Sequence, residues 1–286
     1  MRRLLLAALA ALVLVPGGSA GPRAVPAFKH VFVIVFENKE RSSVLGSAPT
    51  FDALAARYAQ LSGYRGVTHP SLPNYLALVS GSTQGITSDC TDCTVSAPSL
   101  ADSLERAKKT WKTYAEGLPT PGWTGPSLGR YAKKHDPFLY FNAVLAKPAR
   151  RNRVVPFGQL WRDLSRRKLP DFALLVPDLC NSMHDCPVQT GDAWLARVTK
   201  ALLKSPQLKN SVIFVVFDEG STNVGGGGET LALALGPAVR PGSKYTPVLS
   251  HYGLLRTIED AWGLPPLGHA ADASPMTDIF TLADSN

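Results

Sequence analysis

Two apolar runs, each of which ends at an acidic residue, limit the folds open to this chain of 286 residues. The runs HVFVIVF at 30–36 and VIFVVF at 212–217 are followed by Glu37-Asn38 and by Asp218-Glu219. Strands without a polar face are buried on both sides, as in a parallel sheet covered by helices. In open sheets of this kind ligands bind beyond the carboxyl ends of the strands. The two runs therefore predict a site that contains these four polar residues.

The rest of the chain alternates between helical and strand-like patterns. Apolar residues recur at helical spacing over 48–60, from about Asn74 to Gly81, over 192–203 and over 251–262, with Thr50 as the N-cap of the first helix. Short apolar stretches at 172–176 and 231–235 are typical of strands. The alternation predicts an α/β fold, specifically a three-layer α/β/α sandwich with a mostly parallel central sheet.

The first twenty residues have the pattern of a secretory signal peptide. Arg2 and Arg3 precede an apolar run at 4–15, and small residues follow up to Ala20, where we expect cleavage. A membrane-spanning helix needs about 20 apolar residues, although an uncleaved anchor is the alternative. Both interpretations predict a secreted, periplasmic or cell-envelope protein. Residues 21–286 are predicted to form a single domain.

The chain carries a formal net charge of +8, and basic residues cluster between positions 133 and 167. No nucleic-acid-binding motif accompanies the cluster, so a nucleic-acid partner is not expected. The charge favours anionic partners, namely phosphorylated small molecules, phospholipid headgroups or an anionic surface. The alternative is a solvated face without a partner.

Four cysteines form two close pairs, Cys90 with Cys93 and Cys180 with Cys186. In an exported chain an even number of cysteines predicts disulfides, and four cysteines allow three connectivities. We favour bonds within each close pair, because both partners then lie in one short loop. The alternative is a zinc site built from all four, although the second pair lacks the two-residue spacing of a zinc knuckle.

The acids at the strand ends predict a metal site. Glu37, Asp218 and Glu219 would repel one another if they met without a cation between them. Asn38 can add a neutral carbonyl ligand, and an oxygen-rich set suits Mg²⁺, Mn²⁺ or Ca²⁺ at least as well as Zn²⁺. The alternative, in which each acid caps a following helix, explains one acid alone more easily than all of them together.

A hydroxyl group lies near the start of the second predicted helix, in the segment THPSLPNY at 68–75. Unpaired N–H groups and the helix dipole stabilise an oxyanion at such a position. Ser71 is therefore a candidate nucleophile that a metal ion would activate. The same residue types are also ordinary choices for a turn and a helix cap.

Two histidines occur in segments that follow predicted strands. His184 and Asp185 lie in a loop after the strand at 172–176, where ligands and catalytic groups are common. His251 opens a helix, where a histidine can bind metal or phosphate, protonate a leaving group or act as a polar cap. His30 and His269 lack such companions, and we interpret both as structural.

Five segments occur in an order that resembles the bacterial phosphoesterase family of acid phosphatases and phospholipase-C-like enzymes. The segments are HVFVIVFENK, THPSLPNYLALVSG, NSMHD, FDEG and SHYGLLRTIED. Because that family belongs to the alkaline phosphatase superfamily, the resemblance implies an α/β sandwich, a Ser or Thr nucleophile and a phospho-enzyme intermediate resolved by water. Secreted mycobacterial acid phosphatases with activity on phosphoinositides share the short length and a segment similar to GRYAKKH at 129–135.

The resemblance also implies a role for each candidate residue. Ser71 fits the superfamily's hydroxyl-x-Pro-Asn pattern better than Thr68, the second candidate nucleophile, and Asn74 would contact the phosphoryl oxygens. The implied metal set is Glu37, Asn38, Asp218 and Glu219, the phosphate-facing or second metal groups are His69, His184, Asp185 and His251, and the residues near the leaving group are Lys133, Lys134 and His135.

The predicted function is that of a secreted, metal-dependent acid phosphatase, which hydrolyses phosphomonoesters through a Ser phospho-enzyme. Ser182 stands where the family frequently has an acid, and Asp218-Glu219 is Asp-Asp in some relatives, so the number and identity of the metal ions stay open. The alternatives are a phosphodiesterase or phospholipase C that acts on phospholipid headgroups, and a non-catalytic, anion-binding envelope protein.

Overall fold

The structure is a computed structural model that describes residues 25–281. The signal peptide and cleavage site predicted within residues 1–20 lie outside this range. Within it, no helix combines the length and the apolar character that crossing a membrane requires.

Short strands and helices alternate along the described chain. The strands are β1 (Val31–Phe36), β2 (Ala59–Leu61), β3 (Tyr64–Arg65), β4 (Trp111–Ala115), β5 (Ser127–Leu128), β6 (Tyr131–Ala132), β7 (Val154–Pro156), β8 (Phe172–Val176), β9 (Val212–Phe217), β10 (Leu233–Leu235), β11 (Lys244–Tyr245) and β12 (Leu249–Ser250). The α-helices are α1 (Arg41–Val44), α2 (Pro49–Arg57), α3 (Ser71–Ser80), α4 (Leu100–Arg106), α5 (Asn142–Leu145), α6 (Pro148–Arg151), α7 (Gly158–Ser165), α8 (Val188–Leu203) and α9 (His251–Trp262). Single turns of 3₁₀ helix cover Lys133–His135, Pro137–Tyr140, Pro206–Leu208 and Gly268–Ala271.

Eight of these strands form one mixed sheet in the order β11-β2-β10-β9-β1-β8-β4-β7. Strand β1 lies inside the sheet and pairs in parallel with both β8 and β9, whereas β10 runs antiparallel to its two neighbours. The register places Phe36, the last residue of β1, opposite Phe217, the last residue of β9. Glu37 and Asp218 therefore leave the sheet side by side.

Helices cover both faces of the sheet. Successive side chains of a strand point to opposite faces, so the three valines of β1 pack with α3, α4 and α9, while its two phenylalanines and Ile34 pack with α2, α7 and α8. All six residues of β1 are buried. The predicted α/β/α sandwich with a mostly parallel sheet is confirmed.

The predicted helix at 48–60 and the predicted cap Thr50 differ from the structure. Helix α2 ends at Arg57, and Gln60 lies in β2, where it pairs with β10 and β11. The N–H of Thr50 itself needs an acceptor, which Asp192 of α8 provides at 2.9 Å. A contact between distant segments thus replaces the local cap, and periodicity along one segment does not report such a contact.

Helix α3 begins at Ser71, three residues before the predicted start at Asn74. The prediction interpreted Pro73 as part of a turn. Proline is tolerated in the first turn of a helix, because the N–H groups there have no partner within the helix. The other boundary errors are smaller in consequence: α8 begins at Val188 rather than at 192, and β10 begins at Leu233 rather than at 231.

Both predicted disulfides are present, Cys90 with Cys93 and Cys180 with Cys186. All four cysteines of the chain are thereby paired, so the zinc alternative is wrong. Disulfides are typical of oxidising compartments.

Glu259 in α9 should make stability depend on pH. Its side chain is fully buried, its Oε1 accepts a hydrogen bond from the N–H of Leu267 at 2.9 Å, and burial raises its pKa from 4.5 to about 8. The folded chain therefore keeps a proton that the unfolded chain has lost, so the stability linked to this proton is complete at low pH and is lost as the pH rises towards 8. The substitution Glu259→Gln keeps an oxygen that can accept from the N–H of Leu267, but its side chain does not titrate. Between about pH 5.5 and pH 7 its free energy of unfolding should fall by about 1.4 kcal/mol less per pH unit than that of the wild type.

The measurement is urea unfolding at a series of pH values. Asp260→Asn is the matched control, because the neighbouring Asp260 is partly exposed and pairs with Arg256 at 2.7 Å. This control should keep the wild-type dependence. If Glu259→Gln kept it as well, the buried carboxyl would not be its source.

Candidate active site

Two buried carboxylates meet at the carboxyl ends of β1 and β9. Glu37 is fully buried and Asp218 is 1% exposed. Burial raises the pKa of both, and the charge of Asp218 raises that of Glu37 further. A buried pair of acids either retains a proton or shares a cation. The strand-end prediction for these two residues agrees with this placement.

Asn38 adds its side chain to this pair. Its backbone is left-handed, with φ of 51°, and its N–H donates to Asp218 Oδ1 at 3.1 Å. One terminal atom of its amide lies 3.2 Å from Glu37 Oε2 and 3.3 Å from Asp218 Oδ1. If that atom is the oxygen, three oxygens converge and a cation is required between them. If it is the nitrogen, it donates to both carboxylates.

The second oxygen of Asp218 supports the fit of a cation. Asp218 Oδ2 is buried and has no hydrogen-bond partner among the described residues, and buried polar atoms are rarely left in this state. Within residues 25–281 no three His, Cys, Asp or Glu side chains form a metal cage by themselves. The set that converges here also draws on an amide, and its oxygen chemistry suits Mg²⁺, Mn²⁺ or Ca²⁺.

Ser71 directs its hydroxyl at the acids. It is the first residue of α3, it is 1% exposed, and its Oγ lies 3.2 Å from Glu37 Oε2 and 3.5 Å from Glu219 Oε1. The first turn of a helix presents N–H groups and the positive end of the helix dipole. The candidate nucleophile therefore lies between a helix N-terminus and the acid cluster.

Glu219 and His69 form an ion pair beside Ser71. His69 Nδ1 lies 2.7 Å from Glu219 Oε2, and His69 Nε2 donates to the carbonyl of Thr222 at 3.0 Å. Burial, and then the charge of Asp218, raise the pKa of Glu219 to about 7. Burial alone would lower the pKa of His69, but the Thr222 carbonyl and the charge of Glu219 outweigh it and raise the pKa. The pair is thus suited to share and pass a proton.

Asn74 holds the turn that carries Thr68, and the phosphoryl contact that the resemblance implies for Asn74 stays a prediction. Its Oδ1 accepts from the N–H groups of Val67 and Thr68, and its Nδ2 donates to the carbonyls of Thr68 and Pro70. The amide is fully buried. Thr68 Oγ1 lies 3.3 Å from the carbonyl of His69, its own neighbour. Asn74 Nδ2 also lies 3.5 Å from Glu219 Oε2, so Asn74 adjoins the acid cluster, whereas the Thr68 hydroxyl faces its own turn.

Tyr75 and His135 hold the other side of Glu37. The Tyr75 hydroxyl donates to Glu37 Oε1, and His135 Nε2 lies 3.4 Å from the same oxygen. The rings of Tyr75 and His135 stack with centroids 5.2 Å apart. Burial, followed by the charges of Lys134 and His184, lowers the pKa of His135 far below its usual range, so the ring is neutral. His135 therefore belongs to the group of side chains that surround Glu37.

The two neighbouring lysines differ in placement. Lys134 Nζ pairs with Asp89 at 2.7 Å, and Asp89 also accepts from the N–H of Leu72 in the first turn of α3. Burial alone would lower the pKa of Lys134, but Asp89 outweighs it and raises the pKa. Lys133 instead donates to the carbonyl of Thr91 at 2.8 Å, with its Nζ over the Tyr140 ring. The structure thus places Lys134, and not Lys133, beside Ser71's helix.

His184 and Asp185 lie at the rim of the site. Asp185 Oδ1 contacts His184 Nδ1 at 2.6 Å, and the Asp185 side chain is 54% exposed. The ring of His184 lies 6.0 Å from that of His135, and the carbonyl of Ser182 in the same loop accepts from the N–H of Glu37 at 2.9 Å. Asp185 orients His184 and does not join the buried acids, which differs from its predicted role as a metal ligand.

His251 holds the backbone next to the acid cluster. These contacts do not match the catalytic role that was predicted for it. The residue is 1% exposed, and burial lowers its pKa to about 4, so the ring is neutral. Its Nε2 donates to the backbone carbonyl of Asp218 at 2.6 Å, and its Nδ1 accepts from the Tyr64 hydroxyl at 2.8 Å. Both ring nitrogens are therefore engaged, one by a backbone carbonyl and the other by a tyrosine hydroxyl.

The sequence analysis missed Tyr75 and Asp89. Tyr75 carried a usable signal, because it follows Ser71 by four positions and therefore shares its face of α3. Asp89 carried none, because it lies in a loop next to the Cys90 disulfide and only the fold brings it to α3.

Comparison with solved structures defines the class of the fold. The chain superimposes on a protein in the alkaline phosphatase superfamily from Vibrio parahaemolyticus with a TM-score of 0.57 and 14% sequence identity, covering 89% of this chain and 72% of that one. The structure thus has the α/β fold of that superfamily.

Comparison of sequences identifies the family. Residues 46–265 match the Phosphoesterase family. The chain is 37% identical over 273 residues to a phosphatidylinositol-3-phosphatase of Mycobacterium tuberculosis, covering 93% of this chain and 87% of that protein. It is 30% identical over 266 residues to a probable acid phosphatase of Kluyveromyces lactis, covering 87% of this chain and 62% of that protein. The chain belongs to the phosphoesterase family and is a phosphoric ester hydrolase, as the resemblance implied.

His251→Gln tests whether His251 acts on the leaving group. Glutamine keeps a donor for the Asp218 carbonyl and cannot act as an acid. We expect a lower melting temperature, and a ratio of kcat for an alkyl phosphate to kcat for p-nitrophenyl phosphate that stays within about twofold of the wild type, because general acid catalysis matters most for poor leaving groups.

Asp218→Asn with the same two substrates shows how far the ratio moves when the acid cluster itself is changed. A selective loss of alkyl phosphate turnover in His251→Gln would contradict the supporting role and restore the catalytic one.

Proposed function

We propose that the protein is an exported, metal-dependent phosphomonoesterase in which Ser71 forms the phospho-enzyme. The observation that carries the proposal is the position of the Ser71 hydroxyl, which is buried at the N-terminus of α3 and lies 3.2 Å from Glu37 and 3.5 Å from Glu219. A purely structural role does not require a buried serine hydroxyl to face two carboxylates. As a nucleophile it would use both, one for the cation and one for the proton.

Ser71 and its neighbours account for both chemical steps. Attack of Ser71 Oγ on phosphorus forms an O–P bond and breaks the ester bond, while the serine proton passes to Glu219, whose second oxygen is bonded to His69. The leaving oxygen takes a proton at the rim, where His184 is oriented by Asp185. Water then attacks the phosphoserine, giving a proton to His184 as the new O–P bond forms and the bond from Ser71 Oγ to phosphorus breaks, and Glu219 returns its proton to Ser71.

Glu37, Asn38 and Asp218 are the residues that would hold a divalent cation. A cation at this place supplies positive charge that lowers the pKa of a nearby hydroxyl and stabilises the phosphoryl oxygens. The acids are buried, Tyr75 fixes Glu37, and Asp218 Oδ2 has no hydrogen-bond partner within residues 25–281. The metal identity is one of Mg²⁺, Mn²⁺, Ca²⁺ or Zn²⁺.

The proposed substrates are phosphate monoesters of small molecules, including phosphoinositide headgroups. Lys134 supports this choice, because its ammonium group pairs with Asp89, which accepts from the N–H of Leu72 in α3, and because the charges of Asp89, Glu37 and Asp218 together raise its pKa against the effect of burial. The likeness to a mycobacterial phosphatidylinositol-3-phosphatase over nearly the whole chain supports it as well. Export is supported by the two disulfides.

Loss of activity in Ser71→Ala, but not in Thr68→Ala, is the central prediction. With p-nitrophenyl phosphate as substrate, Ser71→Ala should lower kcat by at least about 10³-fold, as removal of a nucleophile does elsewhere. Thr68→Ala should stay within about tenfold of the wild type, because the Thr68 hydroxyl donates to the neighbouring carbonyl of His69 rather than to an acid of the site. Full activity in Ser71→Ala would refute the proposed mechanism.

Two further arms use the wild-type protein. Chelation should abolish activity, and each of the four cations is then added back separately. Bis(p-nitrophenyl) phosphate should react far more slowly than the monoester. The reverse preference would favour the phosphodiesterase alternative, and undiminished activity after complete metal removal, verified by elemental analysis, would contradict the metal site.

A further inference from the structure

A glycine-rich loop, residues 220–229, packs on the turn that carries His69. The N–H of Gly66 donates to the carbonyl of Gly228 at 3.1 Å, and the N–H of Gly220 donates to that of Gly227 at 2.7 Å. A Cβ atom at Gly226 or Gly227 would meet the backbone of Val67 or Thr68. The loop can therefore approach this closely only because it lacks side chains at these positions.

The carboxylate of Glu40 lies inside this loop and ties its two ends together. Its Oε1 accepts from the N–H of Ser221 at 3.0 Å, from the N–H of Thr222 at 3.0 Å and from the Thr222 hydroxyl at 2.9 Å. Its Oε2 accepts from the N–H of Glu229 at 3.1 Å. Hydrogen bonds to a charged acceptor are stronger than neutral ones, so one side chain holds four groups of a segment that is otherwise rich in glycine.

The loop in turn makes one polar contact with the proposed proton-handling pair. The carbonyl of Thr222, whose N–H and hydroxyl are both held by Glu40, accepts from His69 Nε2 at 3.0 Å. A carbonyl oxygen can only accept, so Nε2 keeps a hydrogen, and Nδ1 is the nitrogen that can exchange the second proton with Glu219 at 2.7 Å. Glu40 is thereby connected to Ser71 through Thr222, His69 and Glu219.

We propose that Glu40 is a positioning residue, which holds the glycine-rich loop so that the Thr222 carbonyl fixes the ring orientation and hydrogen placement of His69. The inference rests on the proposed function, because it assumes that His69 and Glu219 serve Ser71. Histidine ring nitrogens acquire distinct roles through the bond that the other nitrogen makes. Loss of Glu40 removes the anchors of Thr222, and His69 then has no fixed partner for Nε2.

The other acid at this loop offers a matched comparison. Glu229 lies at the end of the loop, and its side chain pairs with Arg41 at 3.2 Å with both side chains more than 30% exposed. It accepts nothing from Ser221 or Thr222. Replacement of Glu229 therefore removes an acid from the same loop without releasing the Thr222 carbonyl.

A double-mutant cycle with His69 tests the inference. Glu40→Ala should lower kcat for p-nitrophenyl phosphate by at least about tenfold with little change in KM, whereas Glu229→Ala should change kcat by less than about twofold. In a His69→Gln background, itself strongly impaired, the additional effect of Glu40→Ala should shrink to less than about twofold, because residues that act through one another are not additive. Glu40→Gln keeps an acceptor for Ser221 and Thr222 and should recover most of the activity.

A second measurement reports on His69 without turnover. In ¹⁵N-histidine-labelled Ser71→Ala protein, addition of Glu40→Ala should shift the His69 ring nitrogens, which are assigned by their absence in His69→Gln, towards the values of a free imidazole. Glu229→Ala should not shift them. Melting temperatures confirm that each variant is folded.

The outcomes separate the inference from the proposed function. Unchanged His69 resonances in Glu40→Ala, or an equal loss of kcat in both backgrounds, would overturn the role of Glu40 and leave Ser71 as the nucleophile. Full activity in His69→Gln would overturn both the proton-handling pair and the inference. Loss of activity in Ser71→Ala, together with the cycle and the shifts described, supports both.

Discussion

The burial of Glu37 beside Asp218 is the condition on which the rest of the site depends. Two carboxylates from neighbouring parallel strands, both almost without solvent, cannot both be charged unless something compensates for them. The surrounding groups supply part of that compensation, because the Tyr75 hydroxyl donates to Glu37 and the N–H of Asn38 donates to Asp218. Asp218 Oδ2 has no hydrogen-bond partner in the described part of the chain. Ser71 then faces the pair rather than an apolar core, which gives its hydroxyl a chemical environment that a surface serine lacks.

The architecture was largely predictable, because β1 and β9 have compositions that suit only a strand buried on both faces. Their acids follow directly, so the strand ends could be placed before the fold was known. Prediction failed where a partner came from far away in the chain. Gln60 was assigned to a helix because the residues around it do not indicate that it pairs with β10. Thr50 was predicted to be a cap because the local sequence does not indicate its contact with Asp192.

The site was predictable in kind and less so in detail. Ser71, Glu37 and Asp218 were expected to lie together because helix starts and strand ends follow from local pattern, and the structure brings these three residues together. His251 was given a catalytic role because its type and position allow one, whereas its real partners are a tyrosine hydroxyl and a backbone carbonyl. Lys133 and Lys134 are neighbours in the sequence, yet Lys133 donates to the Thr91 carbonyl and Lys134 pairs with Asp89, a difference that the sequence does not show.

The placement of β1 inside the sheet also affects when the acid pair can form during synthesis and folding. The bond from the N–H of Asn38 to Asp218 spans 180 positions of the chain, and His251 lies further on still. Native contacts of such long range form late, because much chain entropy is lost before they form. No product of interrupted synthesis that ends before β9 can contain both acids. A chain that ends before β9 therefore lacks the buried acid pair, which can form only after most of the polypeptide has been made.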